Sequence, residues 1–210
     1  MKFIEPVISE DSAWRQLTRR RLNGVRFLAR TVARRVGDNA DLWERAGQPQ
    51  RLRGTVPFLE ILWLPYYRVQ LAAQSGDRSL TIEALVDGHE ATFTPWDFAE
   101  VHWVESLDRE SFAASIDAAT ALSVARQGFL DAALRRAEWT RDVRLLSAEG
   151  SELIHYPYWV YYFERRTNKL DFRMLDGVTG RPGGAKMKLS LLKALRLHDS
   201  HDSKKVQHDA

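Results

Sequence analysis

The chain of 210 residues contains no cysteine. This absence excludes a disulfide framework, and it excludes the zinc and iron–sulfur sites that are built on thiolates. No apolar run reaches the roughly 18 residues of a membrane-spanning helix. The N-terminal stretch lacks a signal-peptide pattern, because Glu5, Pro6, Glu10 and Asp11 interrupt it before any long apolar segment. These absences predict a cytoplasmic protein.

Motifs of catalysis and of phosphate binding are also lacking. Gly177, Gly180, Gly183 and Gly184 do not have the spacing of a phosphate-binding loop, and no lysine-serine pair closes them. The composition, with 44% hydrophobic and 28% charged residues, is that of an ordinary globular protein, and the net charge of +3 is mild. The sequence gives no support to an enzyme, and it predicts no cofactor and no metal.

A short phrase occurs twice in the chain. The first copy begins LPYYRVQL and the second begins YPYWVYYF, and each continues through a turn into a second apolar strand that ends in Asp-Gly. Matching positions are Pro65 and Pro157, Asp87 and Asp176, and Gly88 and Gly177. An internal repeat is usually one supersecondary unit that completes its core with its neighbour.

Apolar periodicity places a helix before each hairpin, one between Ser12 and Gly37 and one from Ser111 to about Trp139. The pattern predicts an α+β fold of two tandem repeats, each an α-helix followed by an antiparallel β-meander or hairpin. The first repeat is residues 1–97 and the second is residues 98–190. Residues 191–210 form a polar tail that is predicted to be disordered. Trp159 is predicted to be buried, because both faces of its strand are apolar.

The first predicted helix is strongly basic. Eight arginines and no acidic residue lie between Ser12 and Gly37. On a helical projection one face is apolar and includes Trp14, Leu17, Val25 and Val32. The opposite face carries the predicted partner-binding residues, which are Arg15, Arg19, Arg26, Arg30 and Arg34.

Several partners suit such a face. Arginine binds protein carboxylates, lipid phosphates and nucleic-acid phosphates with the same planar group. The apolar face is needed to cover the first meander, so we expect the arginines to meet an acidic protein. A membrane surface and a nucleic acid remain as alternatives, and so does a solvated face with no partner. The oligomeric state stays open.

The turn after the second hairpin carries a family resemblance. The segment KLDFRMLDGVTGRPGG, with Asp176, Gly177, Thr179 and Gly180, resembles the end of a PepSY-type module, whose last strand closes with an acidic residue and Thr-Gly. His89, Glu90 and Ala91 replace the Thr-Gly in the first copy. The resemblance implies a binding or regulatory unit, and such modules often lie outside the cytoplasm. Together with the missing signal peptide, it predicts a non-catalytic accessory subunit at the cytoplasmic face of a membrane assembly.

Two further groups are candidates for chemistry. Asp87 and Asp176 occupy matching positions and suit paired acid–base carboxylates, although Asp-Gly is the ordinary dipeptide of a tight turn and the structural interpretation is preferred. The tail has His198, His201 and His208 beside aspartates, which are ligand types for zinc or nickel. A disordered polar tail is the preferred interpretation there.

Overall fold

The structure, a computed structural model, describes residues 1–18, 57–96, 101–105, 111–135, 143–164 and 170–208. Its strands are β1 (Lys2–Ile4), β2 (Phe58–Ser75), β3 (Arg78–Asp87), β4 (Phe93–Pro95), β5 (Trp103–Glu105), β6 (Val143–Glu164) and β7 (Leu170–Asp176). Its helices within the described ranges are α1 (Glu10–Thr18), α2 (Ala118–Arg135) and α3 (Ala185–His208).

The strands form a mixed sheet of seven strands. Its order is β4-β3-β2-β6-β1-β5, and β7 pairs with β6 outside this path. The pairs β1–β5, β2–β3, β3–β4 and β6–β7 are antiparallel. Strand β1 pairs with β6 in parallel, with Lys2 opposite Ile154 and Phe3 opposite His155. The chain divides into two compact units. The first unit is Met1–Glu5 with Trp63–Tyr156, and the second unit is Pro6–Leu62 with Pro157–Ala210.

The predicted fold of two tandem helix-then-hairpin repeats is wrong. The strands join one large sheet, and the compact units are not consecutive in the chain. The helix that precedes each hairpin in sequence packs mainly on the other hairpin. Helix α1 packs on Trp159 of β6 and Leu175 of β7, with Leu59 and Ile61 of β2 partly buried in the same cluster. Helix α2 packs on β2 and β3, with Ala148 of β6 buried in that cluster. Each compact unit is built from two segments that are distant in sequence. The predicted division into residues 1–97 and 98–190 does not give these units.

The two Asp-Gly turns nevertheless have the same hydrogen bonds. The Oδ1 atom of Asp87 accepts from the amides of His89 and Glu90, at 2.7 and 2.8 Å. The Oδ1 atom of Asp176 accepts in the same way from Val178 and Thr179, at 2.9 and 2.8 Å. Each carboxylate thereby satisfies two amides that the turn leaves outside the strand ladder.

The glycine of each turn contacts the proline that begins its hairpin. Gly88 donates to the carbonyl of Pro65 at 2.9 Å, and Gly177 donates to that of Pro157 at 3.0 Å. A Cβ atom on Gly88 would lie 2.7 Å from the Pro65 oxygen, and one on Gly177 would lie 2.9 Å from the Pro157 oxygen. Only glycine permits this approach without a shift of backbone.

Each turn also holds the start of a helix. The carbonyl of Gly88 accepts from the amides of Ser115 and Ile116, at 2.8 and 3.2 Å, just before α2. The carbonyl of Gly177 accepts from Val7 and Ile8, both at 2.9 Å, just before α1. The two turns thus present one docking arrangement twice, once in each unit.

The core of the first unit lies between α2 and the β2–β3 hairpin. Helix α2 begins after Asp117, whose Oδ1 accepts from the Thr120 amide at 2.8 Å, so the predicted start at Ser111 is too early. Hydrogen bonds from Thr120 lower the pKa of the Asp117 carboxyl. The buried members of this core are Tyr67, Val69, Leu71, Ala73, Ala84, Val86, Ala121, Ala125, Phe129 and Ala148.

One core cluster of the second unit lies beneath α1. Ala13 and Leu17 of α1 pack against Trp159 of β6 and Leu175 of β7. Trp159 is 7% exposed, which confirms the prediction that it is buried. Its indole nitrogen donates to the carbonyl of Ile8 at 2.8 Å. The inner face of α1 is therefore fixed by apolar contacts and by a side-chain hydrogen bond.

The C-terminal segment differs from its prediction. Helix α3 spans Ala185–His208, and four of its apolar residues within the predicted tail are buried, namely Leu191, Leu192, Ala194 and Leu195, whereas Leu197 is exposed. Lys188 on the same helix donates to the carbonyl of Phe172 at 3.1 Å and lies over its ring. The charged and small residues near the end of the chain favour a disordered tail, but the apolar residues between 191 and 195 give this helix a buried side.

Candidate binding surface

Helix α1 presents an outer face on the second unit. Both ends of the helix are held, because Val7 and Ile8 donate to Gly177 before its first turn and Nη1 of Arg173 donates to the carbonyl of Leu17 at 2.5 Å in its last turn. Acidic Glu10 and Asp11 in the first turn suit the positive end of the helix dipole. The side chains on the outer face are consequently carried by a helix whose position is set from inside.

Trp14 lies on that outer face with 41% of its surface exposed. The sequence placed Trp14 on the apolar face together with Leu17, but Leu17 is buried and Trp14 is not. Its ring meets Tyr161 edge to face, with centroids 5.4 Å apart. Tyr161 therefore covers part of the indole, and the Trp14 side chain stays partly open to solvent.

Two further aromatic rings continue from Trp14. Tyr161 and Phe163 stack with centroids 5.7 Å apart and planes at 17°. The guanidinium carbon of Arg173 lies 5.0 Å from the centroid of Phe163. Trp14, Arg15, Tyr161, Phe163 and Arg173 are called the α1 surface below. Alternation along β6 places Tyr161 and Phe163 on one face, but nothing in the sequence shows that they are only partly covered.

Arg15 is the one predicted partner-binding residue within the described ranges. It is exposed, and its Nε donates to the carbonyl of Asp11 one turn earlier at 3.1 Å. The guanidinium has four further N–H donors, which suit an anionic group. Arg19, Arg26, Arg30 and Arg34 lie outside the described residues.

The matching carboxylates Asp87 and Asp176 are turn residues. Both are buried, and the Oδ1 atom of each accepts hydrogen bonds from two backbone amides of its turn. Each lies in a different compact unit with its own turn. Their hydrogen bonds are those of a tight turn, which is the interpretation that the Asp-Gly dipeptide favours.

A charged network lies on the first unit. Arg68 pairs with Glu83 and lies 3.9 Å from Glu152, which also pairs with Lys2 at 2.5 Å. The guanidinium carbon of Arg68 lies over the indole of Trp103, 5.6 Å from the centroid of that ring. Two cations and two carboxylates balance here, so the network has no net charge with which to attract an ion.

His155 is a buried titratable group of the same unit. It is 2% exposed, and its ring stacks on Phe3 with centroids 4.8 Å apart. Burial lowers the pKa of His155, and the nearby N-terminal amine lowers it further, while the carbonyls of Phe112 and Lys2 act in the opposite direction. The imidazole is accordingly held neutral inside the core.

Within the described part of the chain, no three histidine or acidic side chains come together as metal ligands. The side chains of His201 and His208 lie outside that part. Among the described helices, none has both the length and the apolar character needed to cross a bilayer.

Comparison with known proteins found no matching family model, no similar curated protein and no similar solved structure.

Proposed function

We propose that the protein is a non-catalytic binding protein, an accessory subunit that docks an acidic protein through the α1 surface. The observation that carries this proposal is the exposure of Trp14 beside Arg15 on a helix whose inner face is buried. Tryptophan and arginine are the residue types most enriched among the residues that dominate binding at protein interfaces. A Trp-Arg pair on a fixed helix needs little ordering when a partner binds.

The burial of the inner face argues against insertion of α1 into lipid. Insertion would require the apolar residues of an amphipathic helix to face the acyl chains. Ala13 and Leu17 are instead packed against Trp159 and Leu175. Release of this core would expose the indole of Trp159 as well. We accordingly propose a cytoplasmic protein that meets a membrane assembly through a protein partner.

A nucleic acid is the second candidate, because the α1 surface also contains stacked rings. Tyr161 and Phe163 are only partly buried, and Arg173 lies over Phe163. Bases of single-stranded nucleic acid stack on such aromatic side chains while arginine meets the phosphates. A nucleic acid is held through many phosphate contacts, whereas the guanidinium of Arg173 is already engaged by the Leu17 carbonyl and Arg15 is the other arginine of the α1 surface. An acidic protein that contacts Trp14 and Arg15 therefore fits better.

Site-specific photo-crosslinking in the native host tests the proposal. A photoreactive phenylalanine analogue replaces Trp14, and a matched control carries it at Leu130, which is 42% exposed on α2 of the first unit. We expect one acidic protein to be crosslinked from position 14 and not from position 130. Arg15→Glu should abolish the product and Arg15→Lys should retain it.

Equal crosslinking from both positions, or a product that survives Arg15→Glu, would reject the α1 surface as the docking site. A fluorescent single-stranded oligonucleotide supplies the competing measurement. Salt-sensitive binding of that probe at sub-micromolar protein, weakened by Tyr161→Ala, would replace the acidic protein by a nucleic acid as the partner.

A further inference from the structure

A histidine-serine pair lies at the turn of the first unit. Nδ1 of His89 is 2.6 Å from Oγ of Ser115, which is hydrogen-bonding distance. His89 is 4% exposed, whereas Ser115 is exposed. The main-chain amide of His89 is held by the Asp87 carboxylate at 2.7 Å. The pair thus consists of a buried histidine, whose main chain is held by the turn, and an exposed serine.

The second unit shows that the turn does not require this pair. Hydrogen bonds assign His89 to the position of Val178, because both donate to the Oδ1 atom of the turn aspartate. They likewise assign Ser115 to the position of Val7, because both donate to the carbonyl of the turn glycine. Two valines occupy these positions in the second unit, and all the backbone hydrogen bonds of the turn are kept.

We propose that Ser115 is a nucleophile activated by His89 and that it accepts an acyl group from an activated ester or thioester. A serine becomes reactive when a base within hydrogen-bonding distance takes its proton and is itself held in place. Ser115 Oγ attacks the acyl carbon, and its proton moves to Nδ1 of His89. The Oγ–carbon bond forms, the bond from carbon to the leaving oxygen or sulfur breaks, and His89 returns the proton to the leaving group or to water.

The surrounding amides limit this chemistry to a single transfer. Rapid turnover requires backbone donors directed at the oxyanion of the intermediate. The amides of Ser115 and Ile116 already donate to the Gly88 carbonyl, so they are not directed at an acyl oxygen. The site is therefore an acceptor that is modified once, which is compatible with a protein whose proposed function is binding.

Acetylation of the whole protein by p-nitrophenyl acetate tests the proposal. Peptide mapping by mass spectrometry measures the initial rate of acetylation at Ser115 and compares it with the rates at Ser9 and Ser79 in the same sample. Ser9 is exposed and its hydroxyl donates a hydrogen bond to the hydroxyl of Ser12, and Ser79 is exposed on β3. General-base assistance typically contributes about 100-fold or more, so Ser115 should react faster than both controls by roughly that factor.

Two variants separate activation from mere exposure. His89→Val copies the second unit and should lower acetylation of Ser115 to the rate of the control serines, while circular dichroism shows a retained fold. His89→Gln gives the same expectation and serves if the valine variant unfolds, since glutamine can hydrogen-bond to the hydroxyl without taking its proton. Ser115 that reacts no faster than Ser9 and Ser79, or equally fast without His89, overturns the proposal.

Discussion

The indole nitrogen of Trp159 donates a 2.8 Å hydrogen bond to the carbonyl of Ile8, 151 residues earlier in the chain. The hydroxyl of Tyr67 donates in the same manner to the carbonyl of Ile116 at 2.9 Å. Both donors follow the hairpin proline by two residues, and both acceptors lie two residues before the first residue of a helix. Burial raises the pKa of Tyr67, and the Asp117 carboxylate raises it further, so the donor stays protonated at neutral pH.

Replacement of Trp159 should separate its hydrogen bond from its packing. Trp159→Phe keeps an aromatic ring but loses the indole N–H, and the loss of one such bond typically costs about 1 kcal/mol of unfolding free energy. Trp159→Ala also leaves a cavity and should cost about 3–5 kcal/mol. Chemical denaturation measures both. Trp14→Ala is the matched exposed control and should change stability little, and an equally small effect of Trp159→Ala would contradict the burial of its ring.

The close approach of each turn glycine to a proline predicts a second effect. Gly177→Ala places a methyl group against the Pro157 carbonyl, and Gly88→Ala does so against Pro65. Overpacking of this kind typically costs about 1–3 kcal/mol. Gly184→Ala is the control, because nothing lies within 4 Å of an added Cβ there. Thermal unfolding that ranks all three variants alike would show that the turns yield without cost.

Arg173 is expected to hold the last turn of α1. Arg173→Met keeps the apolar stem over Phe163 but removes the donor to the Leu17 carbonyl. A hydrogen bond to a charged group is typically worth about 1.5–3 kcal/mol. Amide hydrogen exchange should quicken in α1 while the rates in α2 remain unchanged. Equal acceleration in both helices would instead indicate global destabilisation.

The buried imidazole of His155 predicts loss of stability in acid. Its pKa is lowered in the folded protein, so below about pH 6.5 the unfolded chain binds a proton that the folded chain does not. The unfolding free energy should fall as the pH decreases from about 6.5 toward the folded pKa, and it should be constant with respect to this group above 6.5. His155→Phe should flatten that decline, as measured by denaturation at a series of pH values. An unchanged slope would assign the acid sensitivity to other groups.

Local structure followed closely from the sequence. Pro65, Pro157 and the two Asp-Gly dipeptides marked matching hairpins, and the structure gives both turns the same hydrogen bonds. These features depend on residues near one another in the chain, because turn geometry follows from glycine, proline and aspartate themselves. The burial of Trp159 followed from a strand that is apolar on both faces.

The candidate site was only partly accessible to the same reasoning. Arg15 could be placed on a polar helical face, but Trp14 was placed on the wrong face, since its exposure depends on where Tyr161 lies. The His89–Ser115 pair carried no sequence signal, because 26 residues separate its members.

The sequence by itself determined the two hairpins, their turns, the buried strand and the basic composition, because each depends on neighbouring residues or on residue type. Only the tertiary structure decided which helix packs on which hairpin. The carbonyls of Gly88 and Gly177 offer the same two-amide docking site, and the segments before α1 and α2 present the same donors. These backbone hydrogen bonds do not distinguish the pairing of α1 with the second hairpin from its pairing with the first hairpin. The choice is made by burial of side chains brought together across the chain, as when Ala13 and Leu17 pack on Trp159 and Leu175.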